Sequence, residues 1–203
     1  RRENKAGLPE YAEQEEPGVR KWLLLGIAAA VLLAGWRPAP KEPEGLALVR
    51  VLGVDGQGPV LLTAVCGGED QEEPGRGRCA GADFDAALAG LPWSGEEELS
   101  LTSVSYIIVG RDVDLETILL SVLRNRELGA SATLWLAEEG AGALLDRCAD
   151  PASGLDLLAR QGQQAPTAAE ALARLEGDGP LTLPLLAGEG LTLIDWEEWR
   201  SAG

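Results

Sequence analysis

The sequence predicts an α/β (α+β) fold in which about four helices pack on a mixed β-sheet of about five or six strands, preceded by an N-terminal membrane helix. Three observations support this prediction. Extended and helical patterns alternate between residues 99 and 146, a tight hairpin opens the folded part, and the later extended segments are joined by helices. A hairpin pairs strands antiparallel and helical crossovers pair them parallel, so the sheet must contain both senses.

The central stretch of the chain alternates strand, helix, strand and helix. Residues 99–110 and 130–137 are extended runs rich in β-branched and aromatic side chains. Between them, residues 114–125 place apolar side chains on one helical face. These are Leu115, Ile118, Leu119, Val122 and Leu123. Residues 140–146 predict a short helix after a turn. A stretch with so regular a pattern indicates the core of a folded domain. It does not by itself indicate any catalytic or binding chemistry.

The folded part begins with the hairpin. Residues 46–54 and 59–66 are rich in Val and Leu, and residues 55–58 between them have the composition of a tight turn. Residues 67–81 are Gly- and Glu-rich and predict a flexible, charged loop. A helix over residues 83–92 follows, with Asp83 as its cap. Its inward side chains are Phe84, Ala87, Leu88 and Leu91.

Helices and extended segments complete the pattern toward the carboxyl end. Residues 154–160 predict a short helix, and a longer helix begins at Thr167 and stops at Gly177. Residues 181–186 and 191–196 are predicted as late strands or extended segments.

An uncharged apolar run over residues 22–36 divides the chain. As a helix it spans roughly 22 Å, against about 30 Å of membrane hydrocarbon, and a tryptophan stands at each end. Lys21 and Arg37 can reach outward to the interfaces. We expect an uncleaved membrane anchor; a cleaved signal peptide and a buried core helix are the alternatives. The predicted organisation is a tail (1–21), a transmembrane helix (22–36), a linker (37–45) and a folded domain (46–203).

Basic residues predict the orientation of this anchor. Five of them precede the run, namely Arg1, Arg2, Lys5, Arg20 and Lys21. The positive-inside rule counts basic residues, so the tail stays in the cytoplasm and the chain from Arg37 onward lies outside. The proline-rich linker is predicted to be stiff and extended.

Composition excludes several classes of function. The net charge of −16 disfavours nucleic acid, because phosphate binding needs a basic face. The sequence contains no histidine, which excludes His-based triads and His-ligated zinc. The cysteines Cys66, Cys79 and Cys148 match no metal or redox spacing. Cys66 and Cys79 either close a disulfide outside the cytoplasm or are free thiols.

No group of residues predicts catalysis, a cofactor or a metal. The acidic pairs Glu138–Glu139 and Glu197–Glu198 and the cluster over residues 96–98 are expected to be solvated surface. Residues 103–106 and Ser121 offer hydroxyl groups without a base. Arg124 and Arg126 are expected to neutralise a helix terminus or to pair with Glu127 or Asp146. We therefore predict that the chain is not an enzyme.

Three short sequence elements follow one another along the chain in a characteristic order. Gly53, Val54 and Asp55 end the first strand. Arg124, Asn125 and Glu127 follow the central helix, and Gly140, Ala141, Leu144 and Leu145 belong to the next one. Over residues 23–196 this order resembles the amino-terminal domain of the germinant-receptor C subunit, the Ger(x)C lipoprotein family of endospore-forming bacteria. That family has Gly-Ile-Asp, Arg-Asp-x-Glu and Gly-x-Ala-x-x-x-Leu at the corresponding places.

The chain departs from the family at its lipid attachment site. Gly35 is followed directly by Trp36, so the lipobox cysteine of the family is missing. This departure agrees with an uncleaved protein anchor. The family's downstream domains have no counterpart in this sequence, and a fragment, a minimal paralogue and a decayed copy all fit that difference.

The resemblance implies a non-catalytic accessory subunit, held at the spore inner membrane or cell membrane with its domain on the extracytoplasmic side. Its implied partners are the membrane and the A and B subunits of the receptor, and its implied role is in spore germination through protein–protein interaction. The alternative is a generic membrane-tethered module that binds a solute or peptide outside the cell. A deep apolar pocket with converging polar groups would favour that alternative.

Overall fold

The computed structural model describes residues 46–56, 58–67, 74–91, 98–177 and 179–199. The predicted tail (1–21), membrane helix (22–36) and linker (37–45) lie outside the described residues. In the described part, no helix has both the length and the apolar character needed to cross a bilayer.

Eight strands and five helices make up the described part of the domain. The strands are β1 (Leu46–Asp55), β2 (Val60–Cys66), β3 (Arg76–Gly81), β4 (Glu98–Ser100), β5 (Tyr106–Val109), β6 (Thr133–Ala137), β7 (Thr182–Ala187) and β8 (Thr192–Glu198). The helices are α1 (Phe84–Ala89), α2 (Leu115–Arg124), α3 (Ala141–Arg147), α4 (Pro151–Arg160) and α5 (Ala168–Glu176).

All eight strands belong to one mixed sheet, in the order β3-β2-β1-β5-β6-β7-β8. Strands β1, β5, β6 and β7 pair parallel in its centre. β2 and β3 extend it antiparallel at one end and β8 at the other. The short β4 pairs parallel with the first residues of β1. The α/β class and the mixed sheet are as the sequence predicts.

Helices cover both faces of this sheet because its central strands are apolar on both sides. In β5, Ile107 and Val109 point to one face while Tyr106 and Ile108 point to the other. Buried side chains of α1, α2 and α5 fill the first face, here called the α1 face. Those of α3 and α4 fill the second, here called the α3 face.

The predicted helices confirm the periodicity argument. On α2, Leu115, Ile118, Leu119 and Val122 are buried, and Leu123 packs against the same cluster half-buried. At the start of α5, Thr167 accepts a hydrogen bond from the Glu170 backbone, and the Glu170 carboxylate accepts one from the Thr167 backbone. This capping box and Gly177 at the other end fix the helix where the sequence predicts it.

The charged loop predicted over residues 67–81 is wrong from Arg76 onward, and residues 68–73 of that segment lie outside the described residues. Arg76–Gly81 forms the edge strand β3, paired in register with β2 from Val65 to Val60. The segment has little intrinsic β-propensity, and its pairing instead follows from the position of β2 and from contacts of its arginines with α3. Together with β4, it raises the strand number above the predicted five or six.

The same register rules out the Cys66–Cys79 disulfide. Cys79 lies opposite Leu62, four residues along β2 from Cys66. At about 3.3 Å per residue the two Cα atoms are roughly 13 Å apart, about twice the separation that a disulfide spans.

Candidate functional site

The carboxylate of Asp55 joins the end of β1 to the start of α3. Its Oδ1 accepts a hydrogen bond of 2.7 Å from the Ala141 backbone N–H, and its Oδ2 accepts one of 2.7 Å from Gly142. A helix start leaves its first N–H groups unpaired and carries partial positive charge. The Asp55 carboxylate pairs with these N–H groups and supplies the negative charge, although Asp55 lies 86 positions before Ala141 in the chain.

Glycines make room for this carboxylate. Gly140 adopts φ of 105°, a left-handed conformation that glycine accepts at little cost, and a Cβ there would lie 3.3 Å from Asp55 Oδ1. A Cβ at Gly142 would lie 3.2 Å from Asp55 Oδ2, and one at Gly110 would collide with Oδ1. The junction is therefore built from Asp55 and its glycine surroundings together.

The other end of α3 is held by two arginines of β3. Arg76 donates to the backbone oxygens of Asp146, at 3.2 Å, and of Cys148, at 2.5 Å. Arg78 forms an ion pair with the Asp146 carboxylate. That hydrogen bond raises the pKa of Arg78 and lowers the pKa of Asp146. Both arginines place positive charge at the negative end of the helix.

A small acidic cleft of about 390 Å³ lies beside the Asp55 junction. Its acidic side chains are Asp55, Asp112, Glu138 and Glu139. Asp112 accepts a hydrogen bond from Gly56 N, and Glu139 pairs with Arg147 at 2.7 Å. Within the described residues, no three His, Cys, Asp or Glu side chains are grouped so as to hold a metal ion. The hydrogen bonds and ion pairs show a structural use for several of these carboxylates.

On the α3 face, a buried tyrosine holds α4. The hydroxyl of Tyr106 donates to Asp156 Oδ1, and Arg50 donates to Asp156 Oδ2 at 3.3 Å. Burial, reinforced by the hydrogen bond to Asp156, raises the pKa of Tyr106 to about 12. The tyrosine therefore stays neutral at physiological pH and serves as a hydrogen-bond donor.

A cleft of about 690 Å³ lies at the amino ends of β5 and β6; we call it the polar cleft. Four loops or helix ends close it around Tyr106 and Trp135. Its lining is mixed, because hydroxyl and amide side chains share it with apolar surface. The hydroxyl and amide side chains include Ser103, Ser105, Ser131, Thr133, Gln163 and Gln164. It is not the deep apolar pocket that would mark a typical solute-binding module.

Strand β8 forms one edge of the sheet and pairs with β7 but with no other described strand. Ile194 and Trp196 on this strand are 48% and 41% exposed. Asp195, Glu197 and Glu198 interrupt them with negative charge. Large apolar side chains on an open sheet edge are suited to a protein partner.

The structure distributes the chemistry-bearing residues of the sequence among separate places. Glu138 and Glu139 line the acidic cleft, and Glu197 pairs with Arg111 at 2.5 Å. Residues 103–106 line the polar cleft. Ser121 lies within α2. No nucleophile and base come together among these described groups, and the cluster over residues 96–98 falls largely outside them.

The expected pairing of Arg124 or Arg126 with Asp146 is wrong, because Asp146 pairs with Arg78. Among the described ion pairs, none involves Arg124, Arg126 or Glu127. Arg124 does stand in the last turn of α2, which is the position expected for a basic residue that neutralises the helix carboxyl terminus.

Sequence reasoning missed the role of Asp55 as a helix cap and the role of the β3 arginines. Gly140 before a short predicted helix was the available signal for the first, since no capping side chain precedes α3 locally. No local signal pointed to the second.

Comparison with known proteins returned no relatives. No protein-family model matches the chain, and neither the curated proteins nor the solved structures contain a significant match.

Proposed function

We propose that this chain is a non-catalytic, membrane-anchored accessory subunit of a spore germinant receptor of the Ger(x)C type. Residues 22–36 fasten it to the spore inner membrane or cell membrane, and the domain after the linker lies on the extracytoplasmic side. It acts in germination by contacting the A and B subunits of the receptor. The tether raises its effective concentration near those partners.

The contact between Asp55 and α3 is the observation that carries this proposal. Two of the three elements behind the resemblance, Gly53–Val54–Asp55 and Gly140–Ala141–Leu144–Leu145, meet at this contact. A Cβ at Gly53 would lie 2.6 Å from Leu145 Cδ1 and 3.3 Å from Ala141 Cβ. There is therefore no room for a side chain on β1 at the point where α3 crosses it. The matched residues thus depend on one another physically, as residues of one family motif should.

The third element forms a turn rather than a contact with the other two. Arg124 ends α2, and Asn125 Oδ1 accepts a hydrogen bond of 2.8 Å from Glu127 N. The spacing of these three residues determines where the chain leaves α2 and turns toward β6. The element therefore supports the resemblance by its place in the chain and not by a contact.

The β8 edge is the surface that we assign to the partner subunit. A second copy of the chain would bring Asp195 and Glu198 close to identical acids, which opposes self-pairing. A neutral or basic extended segment of a receptor subunit would cover Ile194 and Trp196 without that repulsion.

Co-purification from membranes tests this function. The full chain carrying an affinity tag is expressed with the A and B subunits of a spore-forming host, solubilised in mild detergent and captured. We expect both subunits to be recovered with the wild-type chain. The double variant Ile194→Lys, Trp196→Lys should reduce recovery by about tenfold or more, since it removes the apolar contact.

A matched control distinguishes partner contact from general surface change. Leu157 on α4 is 56% exposed, so Leu157→Lys makes a similar change away from β8 and should leave recovery unchanged. All variants should melt within a few degrees of wild type. Failure of the wild-type chain to recover either subunit contradicts the proposed function, and equal losses in both variants contradict the β8 assignment.

The second candidate, a tethered solute- or peptide-binding module, is favoured by one observation, the polar cleft at the amino ends of β5 and β6.

A further inference from the structure

We infer that the polar cleft is a binding site for a small, uncharged sugar. This inference does not depend on the receptor role proposed above. The cleft has the size of a ligand site, since its volume of about 690 Å³ falls within the range of about 300–1,000 Å³ that such sites occupy.

The lining of the cleft offers hydrogen-bonding groups that are accessible to a ligand. The side chains of Ser131, Gln163 and Gln164 line the cleft and make no hydrogen bond with any described residue; Ser131 and Gln164 are exposed and Gln163 is half-buried, so a ligand would replace the water around them. Serine hydroxyls and glutamine amides both donate and accept. Sugar hydroxyl groups do the same, so they can satisfy this mixed lining from many angles.

Charge selects against ionised ligands. The chain carries 33 acidic and 17 basic residues, yet no Lys, Arg or Asp lines this cleft. Its one carboxylate belongs to Glu170, which already accepts a hydrogen bond of 2.9 Å from Thr167 N. A charged ligand would lose water here without gaining a counter-charge, whereas a neutral sugar would not.

The floor of the cleft is fixed before any ligand arrives. Thr133 N donates to Ser105 O at 2.9 Å, and Trp135 Nε1 donates to Thr133 Oγ1 at 3.0 Å. Leu134 N donates to Pro166 O at 2.8 Å, which ties the segment before α5 to β6. A preorganised site spends less free energy on ordering when it binds.

Calorimetric titration of the full chain in detergent tests the inference. The neutral probes are glucose, N-acetylglucosamine, maltose and the N-acetylglucosamine tetramer. Glucuronate and glucosamine are the anionic and cationic counterparts of glucose. We expect saturable binding of at least one neutral probe. The charged counterparts should bind with about tenfold lower affinity or give no measurable heat. Tighter binding of the tetramer than of the monomer would indicate a glycan chain, and equal binding a free sugar.

Variants locate the binding in the cleft. Gln163→Ala and Gln164→Ala should each weaken the neutral probe about fivefold, as expected for the loss of one hydrogen bond. Ser131→Leu should abolish binding by filling the cleft. Gln161→Ala is the matched control, since Gln161 is exposed at the end of α4 and does not line the cleft. It should bind like wild type.

Three results would overturn the inference. The first is the absence of heat from all four neutral probes at tens of millimolar. The second is binding that survives both glutamine substitutions and Ser131→Leu. The third is equal affinity for glucose and glucuronate, or binding of the uncharged peptide N-acetylalanine amide in place of every sugar. Thermal melting of each variant shows that the domain remains folded.

Discussion

At the scale of single residues, the α3 face depends on polar side chains that fasten helices to the sheet. Asp55 holds the start of α3, Arg76 and Arg78 hold its end, and Tyr106 holds α4 through Asp156. α3 has only seven residues and begins without a local side-chain cap. Such a helix has little stability of its own, so these contacts decide whether it forms.

Replacing Asp55 tests this view of the junction. Asp55→Ala should destabilise the domain by about 2 kcal/mol, because it leaves the N–H groups of Ala141 and Gly142 without a protein partner. Asp55→Asn keeps one acceptor oxygen and should cost about half as much. Urea unfolding measures both. The control is Asp85→Ala, at an exposed position of α1, which should stay within about 0.5 kcal/mol of wild type; an equal loss there would remove the special role of Asp55.

Titration of Tyr106 tests the buried tyrosine. The chain has two tyrosines, so Tyr11→Phe leaves Tyr106 alone to report on phenol ionisation by ultraviolet absorbance. Its pKa should lie near 12, above the ordinary value of 10. Adding Asp156→Asn should lower this pKa only in part, since burial is the larger cause. A midpoint near 10 in the first variant would show that the phenol is solvated.

The same pKa shift predicts a loss of stability in alkali. The folded state has the higher pKa, so this contribution is complete below about pH 10 and is lost as the pH rises toward about 12. Allowing for solvent screening, it amounts to about 1–2 kcal/mol. Chemical denaturation of wild type and of Tyr106→Phe at pH 9 and pH 11.5 should show the difference. Parallel losses in the two proteins would contradict it.

At the scale of elements, α2 is the helix whose burial the sequence defines most clearly. Leu119 lies at its centre and is fully buried on the α1 face. Leu119→Asp should unfold the domain, because it places an unpaired charge in the core. Leu157→Asp, the same change at a half-exposed site on α4, should be tolerated. Circular dichroism melting measures both, and a cooperative transition in Leu119→Asp would mean that this face is misassigned.

The elements that sequence reasoning recovered are those with strong local patterns. The periodicity of α2, the Thr167 cap of α5 and the hairpin of β1 and β2 are each visible within one continuous segment of about ten to twenty residues. Strand β3 was missed because its Arg-Gly-Arg-Cys-Ala-Gly sequence pairs for reasons found in β2 and α3. A partner strand outside the segment overrides a weak local preference.

The site was less predictable than the fold because its contacts join distant parts of the chain. From its local sequence, Asp55 is predicted to be a turn residue. It caps a helix only because the chain comes back to it 86 residues later, at Ala141. The polar cleft draws its lining from segments between Thr102 and Glu170. Sequence periodicity and motif spacing give no information on which distant segments come into contact in the fold.

At the scale of the whole molecule, the proposed function combines a membrane anchor at residues 22–36 with a domain that acts without catalysis. The described domain buries helices on both faces of its sheet, so its stability needs no bilayer. We propose that the domain acts through two surfaces, namely the β8 edge and the polar cleft. In that proposal, the apolar run over residues 22–36 is the part of the chain that holds those surfaces at the membrane.

Membrane fractionation with alkaline wash tests the central claim most directly. The full chain should sediment with membranes, resist carbonate extraction, and lose its domain to external protease in intact protoplasts while the tail survives. Leu25→Lys with Val31→Lys should release the chain into the soluble fraction, since two charges in the apolar run oppose insertion. A wild-type chain found in the soluble fraction, or a domain protected from protease while the tail is cleaved, would contradict the account.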